Sequence, residues 1–164
     1  MYLTVSYFST KINIFVDFDA WLTNIGAVCG NEVCTVATPK EFTGENIATI
    51  EMLNILVALN VWCSKWANFS VRIACDNEAV VKVLNSGHTK CPQLAKIARN
   101  IFMTAAVHDI DLTIVHIPGK QNEVADLLSR WKNTKDNREL LKKFLKHHVW
   151  VDISESHLMV DSCI

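Results

Sequence analysis

Asp19, Glu51, Asp76 and Asp126 are the residues of this sequence whose type and setting suggest chemistry. Each is an acid at a place where an apolar pattern ends, is interrupted or begins. Four carboxylates brought together without a cation would repel one another and raise one another's pKa values. Two Mg²⁺ ions would resolve that conflict, because hard divalent cations prefer oxygen ligands. A two-metal site also activates a water while stabilising the leaving oxygen in phosphodiester cleavage. No periodicity brings the four acids together, so each has to be placed by the element that carries it.

Asp19 closes the run Ile12-Asn13-Ile14-Phe15-Val16-Asp17-Phe18-Asp19, a strand apolar on both faces until its end. Side chains alternate along a strand, so Asp17 and Asp19 share a face; an aspartate at a strand exit also caps turns. Residues 25–29 and 33–37 are two further strands joined through Gly30-Asn31, a dipeptide suited to tight primed turns, which makes an antiparallel meander. Glu51 falls in a helix over about 46–66 that is apolar nearly all round and therefore central. Its neighbours one turn away are Ile47 and Ile55. An ionised carboxylate there is costly to bury unless a cation or donor meets it. Thr49, Glu51, Asn54, Asn60, Ser64 and Lys65 interrupt this stretch, so it reads as a buried helix and not as a membrane span.

Asp76 ends the strand 71–76, and the carboxyl ends of strands are where open α/β sheets place ligand chemistry. A helix over 78–84 follows at once with Gly87 past its end, so Asp76 and Asn77 compete for the N-cap. Pro92 opens another helix, with Leu94, Ile97, Ala98, Ile101, Phe102 and Ala105 at helical spacing and Lys90, Lys96 and Arg99 near its start. Asp126 belongs to the last unit. The strand 112–117 stops at Pro118-Gly119, and a helix begins after Asn122 with Val124, Leu127, Leu128 and Trp131 as its core stripe. At about 100° per residue Asp126 lies opposite that stripe, near a strand terminus. An acid so placed also complements the helix dipole.

The element order is β-β-β-α-β-α-α-β-α, which implies a mixed sheet with helices on its faces. Residues 132–137 read as a linker and 138–149 as a short basic helix with a solvated charged face; 150–164 and the first eleven residues show no assignable pattern. The 164 residues suit one domain, and a net charge of −1 excludes a protein held to nucleic acid by bulk charge, leaving only a local patch. The six cysteines form no CxxC pair and lie in or beside apolar segments. With no secretory signal visible, that implies reduced, buried thiols in a cytoplasmic or nuclear protein, not a secreted one, and argues against a zinc site.

The run from Val16 to Val28 resembles the first strand and hairpin of retroelement ribonucleases H, in which an aspartate precedes a Gly-Ala-Val by seven residues, as Asp19 precedes Gly26-Ala27-Val28. Asn46-Ile47-Ala48-Thr49-Ile50-Glu51-Met52-Leu53 is similar to their glutamate-bearing helix, and Ala74-Cys75-Asp76-Asn77 to their third acid. His116-Ile117-Pro118-Gly119, through Ala125-Asp126-Leu127-Leu128-Ser129-Arg130, is similar to their last. The nearest likeness is to the ribonuclease H segment of reverse-transcriptase polyproteins, particularly DIRS-like elements that carry a tyrosine recombinase.

The resemblance implies an α/β, ribonuclease H-like domain over 12–131 with a five-stranded mixed sheet, an antiparallel meander followed by parallel strands, and helices on both faces. Residues 132–164 are then a linker and C-terminal extension. It implies a two-metal endonuclease, using Mg²⁺ or Mn²⁺, for the RNA strand of RNA–DNA hybrids. Its ligands are Asp19, Glu51, Asp76 and Asp126, and Asn77, Lys90, Lys120 and Asn122 are candidate substrate contacts. A reverse-transcriptase domain of the same polyprotein is the expected partner, with no membrane involved. The chain departs from the family pattern at Asp17, which has no counterpart, and at Trp21, where a small residue is usual. Lys120 stands in a loop where many members carry a histidine, and no basic handle is recognisable. Two other readings are a ribonuclease H-like module that only binds, and a DEDD-type 3′–5′ exonuclease pairing Asp17 with Asp19.

Overall fold

The computed structural model describes residues 13–21, 24–118, 139, 142–143 and 145–160, with only the side chains of Ile14 and Val16 within 13–21. The strands are β1 (Asn13–Trp21), β2 (Asn24–Cys29), β3 (Glu32–Ala37), β4 (Ser70–Cys75), β5 (Asp111–His116) and β6 (Val149–Trp150). The helices are α1 (Ile47–Trp66), α2 (Glu78–Ser86), α3 (Pro92–Val107) and α4 (Glu155–Leu158), with a 3-10 turn over Lys40–Phe42. All six strands form one sheet in the order β5-β4-β1-β2-β3-β6. β1, β2 and β3 pair antiparallel, whereas β4 runs parallel to β1 and β5 parallel to β4. The meander-then-parallel arrangement is therefore present. The hairpin between β2 and β3 turns at Gly30, whose φ of 59° is the left-handed conformation that its lack of a Cβ permits.

The expected count of five strands is corrected to six. Val149 N–H donates to Asn31 O at 2.7 Å and Val151 N–H to Val33 O at 2.8 Å, so a two-residue strand from the C-terminal region pairs with β3. An open edge of β3 would leave a row of unpaired peptide groups, and this short parallel strand satisfies part of it. Val149-Trp150 is too short to show a period of its own.

α1, α2 and α3 pack together over one face of the sheet, onto which Val16, Val71, Ile73 and Ile114 project. The helix expected on the other face, over 122–131, lies outside the described residues. α1 is apolar all round because it is covered on several sides. β1 and β2 lie beneath it, α3 lies beside it, and α4, with Val151, Ile153, Leu158 and Val160 around it, packs on it from the C-terminal segment. Asn60 Nδ2 fixes that cover by donating to His157 O at 3.1 Å. Among the described residues α1 is long and apolar enough to cross a membrane, and it is the central core helix of the fold. Leu53, Ile55, Leu56 and Leu59 are fully enclosed in it, each contributing roughly 1.5–3 kcal/mol of burial free energy. Of the basic stretch 138–149, Glu139, Lys142 and Lys143 are helical, and the chain turns from Leu145 into β6.

The far end of α1 is tied to the sheet by Glu32, the first residue of β3. Its carboxylate accepts from Trp62 Nε1 at 2.8 Å and pairs with Lys65 Nζ. The Lys65 bond, helped by Trp62, holds the Glu32 carboxyl below its ordinary 4.5 against the opposing effect of burial. A depressed folded-state pKa stabilises the fold above the unfolded value and is lost as pH falls through the lower folded value. Glu32→Gln is therefore expected to cost a few tenths to about 1 kcal/mol at neutral pH. It should also make urea-unfolding midpoints less sensitive to acid below pH 4.5, measured as a pH series on both chains.

Candidate metal centre

β1 and β4 are neighbouring parallel strands, so their carboxyl ends reach the same edge of the sheet. Asp17 is level with Ala74, the last pair of that ladder, and Asp19 and Asp76 each stand two residues further along the chain toward this edge. The side chains of Asp17 and Asp19 lie outside the described residues. Asp76 is the first residue beyond β4, partly exposed, and the strand end delivers it free of the ladder. The competition for the α2 cap goes to Asn77, whose Oδ1 accepts from Ala79 N at 3.0 Å and Val80 N at 3.3 Å. Capping thus leaves the Asp76 carboxylate available for another role.

Glu51 comes to the same edge through α1. Asn46 caps this helix, accepting from Thr49 N at 3.0 Å. One turn beyond Glu51, Asn54 Nδ2 donates to Gly26 O at 2.9 Å, a buried bond. Gly26 is the cross-strand partner of Asp19, so this bond fixes the rotation of α1 over the row of the sheet that carries Asp19. Asn54 is a positioning residue that inspection of the sequence passed over as a mere interruption of the apolar run. Asn54→Ala leaves the Gly26 carbonyl without this donor and is expected to cost about 1–3 kcal/mol, read as a lowered chemical-unfolding midpoint. Asn54→Gln, with a longer arm, should not restore it.

With α1 so placed, one ligand atom each from Glu51, Cys75 and Asp76 lies within 4.8 Å of the others. Glu51 is only 6% exposed, and its Oε2 is shielded from solvent. Two ionised carboxylates at that separation repel by about 3.5 kcal/mol at an effective dielectric of ~20. A divalent cation between them turns the repulsion into attraction. The two carboxylates suit a hard ion such as Mg²⁺ or Mn²⁺, which prefers oxygen to sulfur, so the donor set fits the expected group without calling on the Cys75 thiol. Cys75 is the member of the cluster that sequence inspection missed; the signal for it was its position beside Asp76.

The end of β5 is fastened to this edge. Ile117 N–H donates to Cys75 O at 3.0 Å, and His116 Nε2 lies 3.2 Å from Asp76 O. The segment that leads to Asp126 therefore departs from beside Asp76. Asp126, Lys120 and Asn122 themselves lie outside the described residues. Lys90 is exposed in the loop after α2, separated from Asp76 by that nine-residue helix, about 13 Å of rise, so the described structure does not bring it to the acids.

Comparison with known proteins agrees with this architecture. Residues 19–132 match the model of a family described as reverse transcriptase-like. No curated protein matches the sequence. Among solved structures, RNase H1 from the halophilic archaeon Halobacterium salinarum NRC-1 superposes with a TM-score of 0.56 at 17% identity, over 76% of this chain and 99% of that one. The N-terminal RNase H domain of rv2228c from Mycobacterium tuberculosis gives 0.56 at 14% identity, over 82% and 99%. LC11-RNase H1, in a structure with an RNA/DNA hybrid, gives 0.50 at 22% identity, over 72% and 93%. These likenesses establish the ribonuclease H-like fold. With the family match covering well over half of its 164 residues and the fold to go with it, the chain belongs to the reverse transcriptase-like family and carries a ribonuclease H-like domain.

Proposed function

We propose that this chain is a metal-dependent endonuclease that cuts the RNA strand of RNA–DNA hybrids, as the ribonuclease H module of a retrotransposon reverse transcriptase of the DIRS-like kind. The observation that carries the reading is the pairing of buried Glu51 with Asp76 at the carboxyl end of β4, in a ribonuclease H-like fold. Asp19, Glu51, Asp76 and Asp126 are the proposed ligand set. When bound, two Mg²⁺ or Mn²⁺ ions supply activation of the attacking water and charge stabilisation at the leaving oxygen. The chain's own contribution is placement. Glu51 presents its carboxylate from a helix locked by Asn54, Asp76 presents its own from a strand end, and burial keeps solvent from Glu51 Oε2.

The solved relative with a bound RNA/DNA hybrid supports the same substrate class here. The 2′-hydroxyl is the group that would mark the strand to be cut. Asn77, Lys90, Lys120 and Asn122 are the proposed substrate contacts. Local contacts of this kind are needed because the net charge of −1 gives no general attraction for a polyanion. In this reading residues 12–131 form the nuclease unit, a polymerase domain of the same polyprotein helps to hold the hybrid, and the protein works in the cytoplasm or nucleus with its thiols reduced. The test is incubation of the purified chain with labelled RNA–DNA hybrid, single-stranded RNA and duplex DNA in Mg²⁺. Internal cuts in the RNA of the hybrid alone are expected. No cleavage by a folded, metal-binding chain would leave a binding module, and stepwise products from a single-stranded 3′ end would indicate an exonuclease; either overturns the proposal.

A further inference from the structure

Cys75 gives the cluster a chemical character that its carboxylates do not explain. Its Sγ is within 4.8 Å of a ligand oxygen of both Glu51 and Asp76, so the site offers two oxygens and a sulfur. A hard ion uses only the oxygens. A borderline ion such as Zn²⁺ takes all three and keeps its fourth position open. We propose that Zn²⁺ binds at this centre through the Cys75 thiolate and the Glu51 and Asp76 carboxylates, displacing the hard cation and holding the site in an inactive form. The inference deepens the nuclease reading and rests on it for the word inactive.

Ordinary Zn–S and Zn–O bonds of about 2.3 and 2.1 Å put tetrahedral donors about 3.6 Å apart. Donors already within 4.8 Å reach that spacing by small side-chain rotations, for which Asp76, partly exposed past the end of β4, has the freedom. Burial and the two nearby carboxylates disfavour a free thiolate, so the thiol gives up its proton only as the metal, whose charge offsets both, binds. Asn77 N–H donates to Cys75 Sγ at 3.4 Å, a bond that strengthens when the sulfur becomes a thiolate. The weaker contact from the thiol to Asn77 O, at 3.7 Å, is given up as the proton leaves to solvent and the Zn–S bond forms. α2 begins three residues later, and the start of a helix favours a nearby thiolate. The absence of CxxC spacing argued against zinc, but these donors come from α1 and from the end of β4 with the residue after it, Glu51 and Cys75 being 24 residues apart, where linear spacing is uninformative.

Cobalt reads the sulfur directly, without substrate. Titrating the full chain with Co²⁺ should produce a sulfur-to-cobalt charge-transfer band in the near ultraviolet, and Cys75→Ser should lose it while still binding Mn²⁺. Cys34, a buried thiol pushed up to about 12 by desolvation, stays protonated and adds little background. In parallel, Zn²⁺ should release Mn²⁺ from the wild-type chain, followed by the return of the free Mn²⁺ resonance signal. Half-release should need at least about tenfold more Zn²⁺ in Cys75→Ser. Cys75→Ala serves as a second variant, each checked for folding by circular dichroism, because a hydroxyl in this buried position has its own cost. No band in wild type, a band that persists in both variants, or equal Zn²⁺ requirements would overturn the assignment. An intact, Cys75-dependent band in a chain that never cuts hybrid would instead strike the nuclease reading and leave the thiolate site standing.

Discussion

Asp76→Asn is expected to lower hybrid cleavage by about 10³-fold or more while leaving the chain folded. The size follows from what the metal supplies. Loss of a carboxylate that holds it removes several kcal/mol of charge stabilisation, and about 4 kcal/mol corresponds to 10³ in rate. Folding should survive because the side chain is partly exposed, the helix cap belongs to Asn77, and the contact with His116 uses the main-chain oxygen of Asp76. In chelator the variant should melt at or somewhat above wild type, because the repulsion between Asp76 and Glu51 is relieved, and a weakened Mn²⁺ isotherm should accompany the lost activity. Undiminished cleavage would remove Asp76 from the site, and with it the reading built on the strand end.

Glu51→Gln should separate function from stability in opposite directions. The amide keeps the shape of the side chain but takes a charge out of a place where it is 6% exposed and close to Asp76. Cleavage is expected to fall by about 10² or more, since metal binding loses an anionic ligand. In chelator, however, the variant should be more stable by about 1 kcal/mol, a rise of roughly 2–4 °C in melting temperature. Adding Mg²⁺ should then stabilise wild type and scarcely move the variant, because only a state that binds the ion gains from it. A variant less stable than wild type in chelator would assign Glu51 to holding the fold together and not to holding a cation.

Much of this layout can be read in one dimension. The apolar runs located β1 to β5 and α1 to α3 within a residue or two, and Glu51 stood out because its helix leaves it no polar face. The seven-residue spacing from Asp19 to Gly26 now has a physical meaning: antiparallel pairing of β1 with β2 sets the two opposite each other, with the glycine carbonyl taking the bond from Asn54. Periodicity says which residues share a face, but not which face meets which. For that reason the proximity of Cys75 to Glu51, the bond from Asn54 and the pairing of β6 with β3 were not visible. Nor could local pattern decide between Asp76 and Asn77 as the cap, because both residue types are good caps and only the folded chain shows which one turns to the helix.

The C-terminal cover over α1 has a consequence for how the protein is made. His157 and its partner Asn60 are 97 residues apart in sequence. A ribosome adding about 5–20 residues per second needs roughly 5–20 s to cross that interval. Throughout that time a newly synthesised α1, the most apolar helix described in the chain, lacks the segment that shields its outer side. Until that segment is made, α1 stands without this part of its cover, so apolar surface that the finished fold buries is exposed for that interval.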